Sequence, residues 1–197
     1  MTPFARLLDA IRDAHETSPA LADFVSFPDD VHEVALSPRH LPCADYMYHD
    51  EILQAAPNPL ARAFFAAGPD AFWRETYAGT NIGEDFMNRF GCFCAIGNGG
   101  AYDSDRMKGY VVTMPPGLHY PWHHHPAEEM YLVLAGEAEF YREGEAASVL
   151  REGDTSFHAS NQPHAMETKN SPAMCYVTWR NHFDTPPVLT ERPVTTL

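Results

Sequence analysis

The sequence predicts a mainly β chain, one barrel or sandwich of short strands preceded by a helical extension. Three observations carry this. From about Arg89 onward, short runs rich in β-branched and aromatic residues follow closely on one another, punctuated by Gly, Pro, Asn and Asp. Before that point the apolar residues recur at helical spacing. The length, 197 residues with 45% hydrophobic and 12% aromatic, suffices for one domain with a full core and hardly for two. The extension is placed at residues 1–88 and the barrel at 89–197, packed as one structural unit.

In chain order, Thr2 caps a helix that opens on Pro3, with Phe4, Leu7, Leu8 and Ile11 as its apolar stripe. Residues 18–24 and 49–56 read as short helices. Asn58 caps the next, with Pro59 in its first turn and Gly68 as its stop. Residues 69–77 read as one more helical piece. These stripes must be buried on the outside of a barrel, across its mouth, or between two copies of the chain in a homodimer. Strands are expected over 89–96, 108–114, 129–136, 137–143, 147–152, 154–159, 164–169 and 173–180. The glycine-rich stretch 97–106 reads as a flexible loop, and the proline-rich tail, 184–197, as extended chain on the surface.

Thirteen Lys and Arg against 27 Asp and Glu leave a net charge of −14. Such an acidic surface argues against nucleic acid and anionic membranes as partners, since both carry phosphate charge. No run approaches the length of a membrane span. Arg6, Asp9, Arg12 and Asp13 stand where a secretory leader would be apolar. Cys43, Cys92, Cys94 and Cys175 lack C-x-x-C spacing and read as small buried thiols, which fits a cytoplasmic setting.

The chemistry concentrates in "HYPWHHHPAEEMYLVLAG", residues 119–136. His123 and His125 alternate and so share one face of a strand, Glu129 begins the next strand, and His164 opens a later one. Three imidazoles and a carboxylate suit one divalent transition metal ion: zinc, iron(II) or manganese. His119 and His124 fall outside this spacing. His15, His32, His40, His49, His158 and His182 show no partner pattern and are expected at the surface or core edge. Glu128 points away from Glu129 towards solvent. Tyr131 lies two residues after Glu129 and shares its direction, and a phenol beside a dication has a lowered pKa. Tyr120 sits at the mouth of the same site.

This spacing resembles the two motifs of the cupin superfamily. Gly117, His123, His125, Glu129 and Gly136 match every position of the first, G-x5-H-x-H-x3-E-x6-G. In the second, G-x5-P-x-G-x2-H-x3-N, Gly153 and His164 match, while Ala159, Asn161 and Thr168 depart. Asn161 can still adopt the left-handed turn that Gly supplies. The resemblance implies a single cupin β-barrel holding one metal ion per chain through His123, His125, Glu129 and His164.

A more detailed resemblance, carried by "YPWHHHPAEEMYLVLAGEAEFY" and "NQPHAM", is to the DddQ-type dimethylsulfoniopropionate lyases. It covers most of the chain. It implies β-elimination of a small zwitterionic sulfonium substrate to acrylate and dimethyl sulfide. Tyr131 would be the base, Tyr120 the runner-up base or a positioning group, and Trp179, with Tyr120, a face for the sulfonium cation. Two other readings stand at this point: an iron-dependent cupin dioxygenase acting on a thiol or small organic acid, and a non-catalytic small-molecule-binding cupin.

Overall fold

Thr2 opens the first helix as its position suggests, its Oγ1 accepting the Ala5 N–H at 3.1 Å. In the computed structural model, which describes residues 1–191, α1 spans Pro3–Thr17 and α2 spans Pro19–Phe24. α3 (Cys43–His49) and α4 (Glu51–Gln54) follow, then α5 (Pro59–Ala67), capped by Asn58 Oδ1. Gly68 caps α5 as expected, its N–H donating to Phe64 O, but it does not turn the chain away. Its φ of −56° is right-handed, and the chain continues into a 3-10 turn, Gly68–Asp70. The rest of 69–77 is not helical. Phe72 pairs with Arg39, and Trp73 with Phe93, as isolated bridges. The Trp73 and Phe93 rings pack edge to face at 5.0 Å, a contact that overrides local helical spacing. α6 (Glu84–Arg89) went unseen in the pattern, because six residues with one buried side chain show no stripe.

The strands are β1 (His32–Glu33), β2 (Gly91–Ile96), β3 (Tyr102–Asp103), β4 (Lys108–Met114), β5 (His119–His124), β6 (Glu128–Arg142), β7 (Ser148–Arg151), β8 (Thr155–His158), β9 (His164–Glu167), β10 (Ala173–Arg180) and β11 (Val188–Leu189). They pair in the order β1-β3-β2-β4-β10-β6-β9-β5-β11, with β7 and β8 also on β6. The runs 129–136 and 137–143 are therefore one strand. Up to Gly136 it lies between β10 and β8; beyond, it pairs with β7 and β9. Gly136 is the corner of the barrel. Its φ is +69°, and a Cβ there would lie 1.9 Å from the Pro172 carbonyl oxygen, so no other residue fits.

Side-chain alternation divides the core in two. Phe93, Val111, Leu134 and Tyr176 face outward, where Leu7, Ile11, Leu21 and Phe64 of the helices cover them. Cys92, Val112, Tyr131, Val133 and Val177 face inward and fill the barrel with Phe86, Phe90 and Phe140. The stripe of α1 is thus buried on the sheet's outer face, within the chain. The four thiols are buried and unpaired with one another.

The stretch 97–106 is tied down. Gly97 N–H donates to Tyr102 O at 2.7 Å, Tyr102–Asp103 form β3, and Lys108 Nζ reaches Asp103 Oδ1 at 2.5 Å. Part of the tail forms β11 against β5; residues 192–197 of the expected surface tail lie outside the described residues.

Candidate metal and active site

Sheet register assembles the site. Glu129 on β6 lies directly opposite Trp179 on β10 and His158 on β8. Two residues on, Tyr131 lies opposite Val177 and Ser156 and points into the same interior. From the other sheet, His123 on β5 lies opposite His164 on β9. His125 follows in the turn to β6. The Asn161 turn is stitched to it, with φ +58° and its N–H donating to His125 O at 2.9 Å. Thr168, where the second motif has Asn, clamps the 115–118 turn. Its hydroxyl donates to Pro115 O at 2.6 Å and accepts the Leu118 N–H at 3.0 Å.

His123, His125, Glu129 and His164 are all buried. Ligand atoms of His123, His125 and His164 lie within 4.8 Å of one another, as do those of Glu129, His158 and His164. The second ring nitrogens separate ligands from supports. Nδ1 of His123, His125 and His164 each meets a backbone carbonyl oxygen two residues away, at Pro121 (2.8 Å), Ala127 (2.9 Å) and Gln162 (2.9 Å). Each Nδ1–H therefore donates there, leaving a lone pair on Nε2. Nε2 of His125 and His164 is buried without a hydrogen bond of good geometry, although Glu129 Oε2 is 3.4 and 3.1 Å away. His158 has no such free nitrogen. Its Nδ1–H donates to Glu129 Oε2 at 2.8 Å, and its Nε2 accepts from Ser156 Oγ at 3.0 Å. Trp179 Nε1–H holds the other oxygen, Oε1, at 2.7 Å.

Protonation fits the same use at His123 and Glu129, whereas at His125 burial is outweighed by the Glu129 carboxylate, which raises the imidazole pKa. Burial, then His164, pushes His123 well below its ordinary range. Burial acts against the ionised form of Glu129, but the histidines around it, His125 foremost, hold its carboxyl well below the usual range. Neutral imidazoles beside an ionised carboxylate are what a divalent cation requires. This buried His/Glu group can bind a metal ion.

A cavity of about 400 Å³ opens beside it, with His125, Glu129, Tyr120, Tyr131 and Trp179 in its wall. Tyr120 is committed. Its hydroxyl is 2.8 Å from that of Tyr77, and its ring stacks on His123 with centroids 4.0 Å apart and planes 12° apart. The Tyr131 hydroxyl has no hydrogen-bond partner among the described residues. Burial, then Glu129, pushes its pKa well above the ordinary value.

The profile of the dimethylsulfoniopropionate lyase family matches residues 20–175. The chain belongs to this family. It is 47% identical over 188 residues to the dimethylsulfoniopropionate lyase DddQ of Ruegeria pomeroyi, covering 95% of this chain and 94% of that protein. A crystal structure of the Ruegeria pomeroyi DddQ superposes with a TM-score of 0.92 at 46% identity, over 95% of this chain and 96% of that one. A second structure, from a study of the lyases RdDddP and RnDddQII, gives 0.88 at 34% identity over 96% and 98%. With these lyases the chain shares both the barrel and the helical extension.

The sequence placed some residues wrongly within this family fold. His158, expected at the surface or core edge, is 2% exposed and braces Glu129. It sits on the same face as Ser156, but an isolated His on a short strand carries no spacing signal. His15 is buried too, bridging Val25 O (2.8 Å) and the Tyr176 hydroxyl (3.0 Å). Glu128 does point outward, but pairs with Arg180 at 2.9 Å. His119 is exposed, and His124 turns outward to Thr190 Oγ1 at 2.7 Å. Trp179 contacts His125 and Glu129 as well as the cavity. Tyr110 and Arg74 in the cavity wall, and Tyr77 behind Tyr120, were not foreseen, because tertiary packing gathers them from segments far apart in sequence.

Proposed function

We propose that this chain cleaves dimethylsulfoniopropionate to acrylate and dimethyl sulfide by β-elimination, with Tyr131 as the base. The observation that carries the choice of base is the uncommitted Tyr131 hydroxyl in a cavity shared with Glu129 and His125. Tyr120, bonded to Tyr77 and stacked on His123, suits positioning better.

His123, His125, Glu129 and His164 would hold one divalent transition metal ion, with zinc, iron(II) and manganese all compatible with this donor set. When bound, the cation supplies positive charge that stabilises the anion developing next to the substrate carboxylate and favours the phenolate of Tyr131. The sulfonium end lies against the aromatic faces of Tyr120 and Trp179. Tyr131 Oη takes the proton from the carbon next to the carboxylate. That electron pair becomes the carbon–carbon double bond of acrylate as the carbon–sulfur bond breaks. Dimethyl sulfide departs neutral with the pair from that bond and needs no acid.

The partner is thus a small zwitterionic sulfonium compound; the net charge of −14 disfavours nucleic acid and anionic membrane surfaces. No helix among the described residues is long and apolar enough to cross a membrane. Four buried free thiols support a cytoplasmic setting. The helical extension, residues 1–88, and the barrel, 89–197, work as one unit, since Tyr77 braces Tyr120. A homodimer is compatible with this arrangement, and nothing in the reaction needs one.

The test is dimethyl sulfide release by the purified chain, stripped of metal and reconstituted with each ion in turn. Release that depends on the metal supports the proposal. Its absence with every ion, or oxygen consumption in its place, sinks it.

A further inference from the structure

We propose that Arg74 is a carboxylate-binding residue of the cavity, meeting the carboxylate of the incoming substrate before it reaches the metal ligands and that of the departing acrylate after it leaves them. The ligand's identity rests on the lyase reading; the site itself does not.

The position is built. Arg74 follows Trp73, whose bridge to Phe93 fixes the backbone, and the Arg74 N–H donates to Cys92 O at 2.8 Å. The side chain then lies in the cavity wall. Nη1 donates to Asn98 O at 2.9 Å, and the guanidinium stands 5.5 Å from the centre of the Tyr110 ring. Tyr110 in turn packs on Trp179 at 5.6 Å, so one aromatic ring separates the guanidinium from the indole that holds Glu129.

The charges around the cavity leave Arg74 uncompensated. Lys108, the other cation of the wall, is matched by Asp103 at 2.5 Å. Glu129 is held by His158 and Trp179. Asp184 is exposed at the rim. Among the described residues no carboxylate pairs with Arg74. Its close neighbours bring no negative charge, because burial pushes the Cys94 thiol up to about 12 and raises the Cys92 thiol and the Tyr110 phenol too.

A planar guanidinium whose donors are only partly used, in a half-enclosed cavity, matches a carboxylate in both charge and shape. It also sets direction. A zwitterion entering the cavity has its sulfonium repelled from Arg74 and its carboxylate drawn to it. The cation is thereby left to the aromatic faces.

The test combines binding and kinetics on the full chain. Propionate, an unreactive carboxylate, is titrated calorimetrically into metal-free wild type, Arg74→Gln and Arg74→Lys; KM and kcat for dimethyl sulfide release are then measured after metal reconstitution. The expected result is propionate binding to metal-free wild type that Arg74→Gln weakens about tenfold to a hundredfold and Arg74→Lys weakens less. KM should rise by a similar factor in Arg74→Gln, with kcat changed far less. Wild type that binds no propionate without metal, or a folded Arg74→Gln chain with unchanged propionate affinity and KM, overturns the proposal. If Arg74→Gln does not fold, Arg74→Lys and the wild-type titration decide it alone. Propionate binding through Arg74 in a chain that releases no dimethyl sulfide would uphold this site while removing the lyase reading.

Discussion

Glu129 and Trp179 face each other across two antiparallel strands, and the indole Nε1–H donates to Glu129 Oε1 at 2.7 Å. The same indole lies against the His125 ring, with centroids 4.3 Å apart. One side chain thus orients two members of the donor set. Replacing Trp179 by Phe keeps a ring there and deletes the N–H. Metal affinity should fall roughly tenfold to a hundredfold, the usual effect of losing a partner that orients a ligand. Competition with a chelator measures it; unchanged affinity would show that the indole bond does not orient Glu129.

His158 grips the other oxygen of Glu129 and is itself held by Ser156. His158→Phe removes the donor and should weaken metal binding by a similar factor. Ser156→Ala, one bond further out, should have a smaller effect. If His158 were instead a ligand, its loss would approach that of His164→Ala, and comparing the two variants separates the roles.

His15 ties α1 to the barrel through Tyr176. Burial lowers its pKa from the ordinary value, outweighing the bond to Val25 O. The unfolded chain therefore binds a proton more readily than the folded one near the unperturbed imidazole pKa of about 6.5. Stability should fall as pH drops through that value towards the lowered folded-state pKa. His15→Phe should lose about 1–3 kcal/mol at pH 7.5 by deleting two buried hydrogen bonds. It should also show a shallower loss between pH 6.5 and 5.5. Denaturant titrations at the two pH values measure both, and an unchanged slope would contradict this.

The donor spacing was readable because alternation on a strand and a short turn are local matters: His123, His125 and Glu129 lie within seven residues. Most strands were readable for the same reason. What brings distant segments together was not. Trp73 leaves its helical pattern for a bridge to Phe93, and the Gly-rich stretch 97–106 is fixed by β3 pairing and by Lys108. His158 looked ordinary, since only the β6–β8 register sets it opposite Glu129. The cavity wall with Arg74 from the extension, and the bond from Tyr77 to Tyr120, are likewise products of tertiary packing.

The central claim is that Tyr131 removes the proton. The most direct measurement is dimethyl sulfide release by Tyr131→Phe, made beside Tyr120→Phe, with metal content and folding checked on each sample. Tyr131→Phe should lose roughly a hundredfold to ten-thousandfold in kcat with its metal retained, and Tyr120→Phe should lose less. A metal-replete Tyr131→Phe enzyme within about threefold of wild type, or a larger loss in Tyr120→Phe, would contradict the assignment.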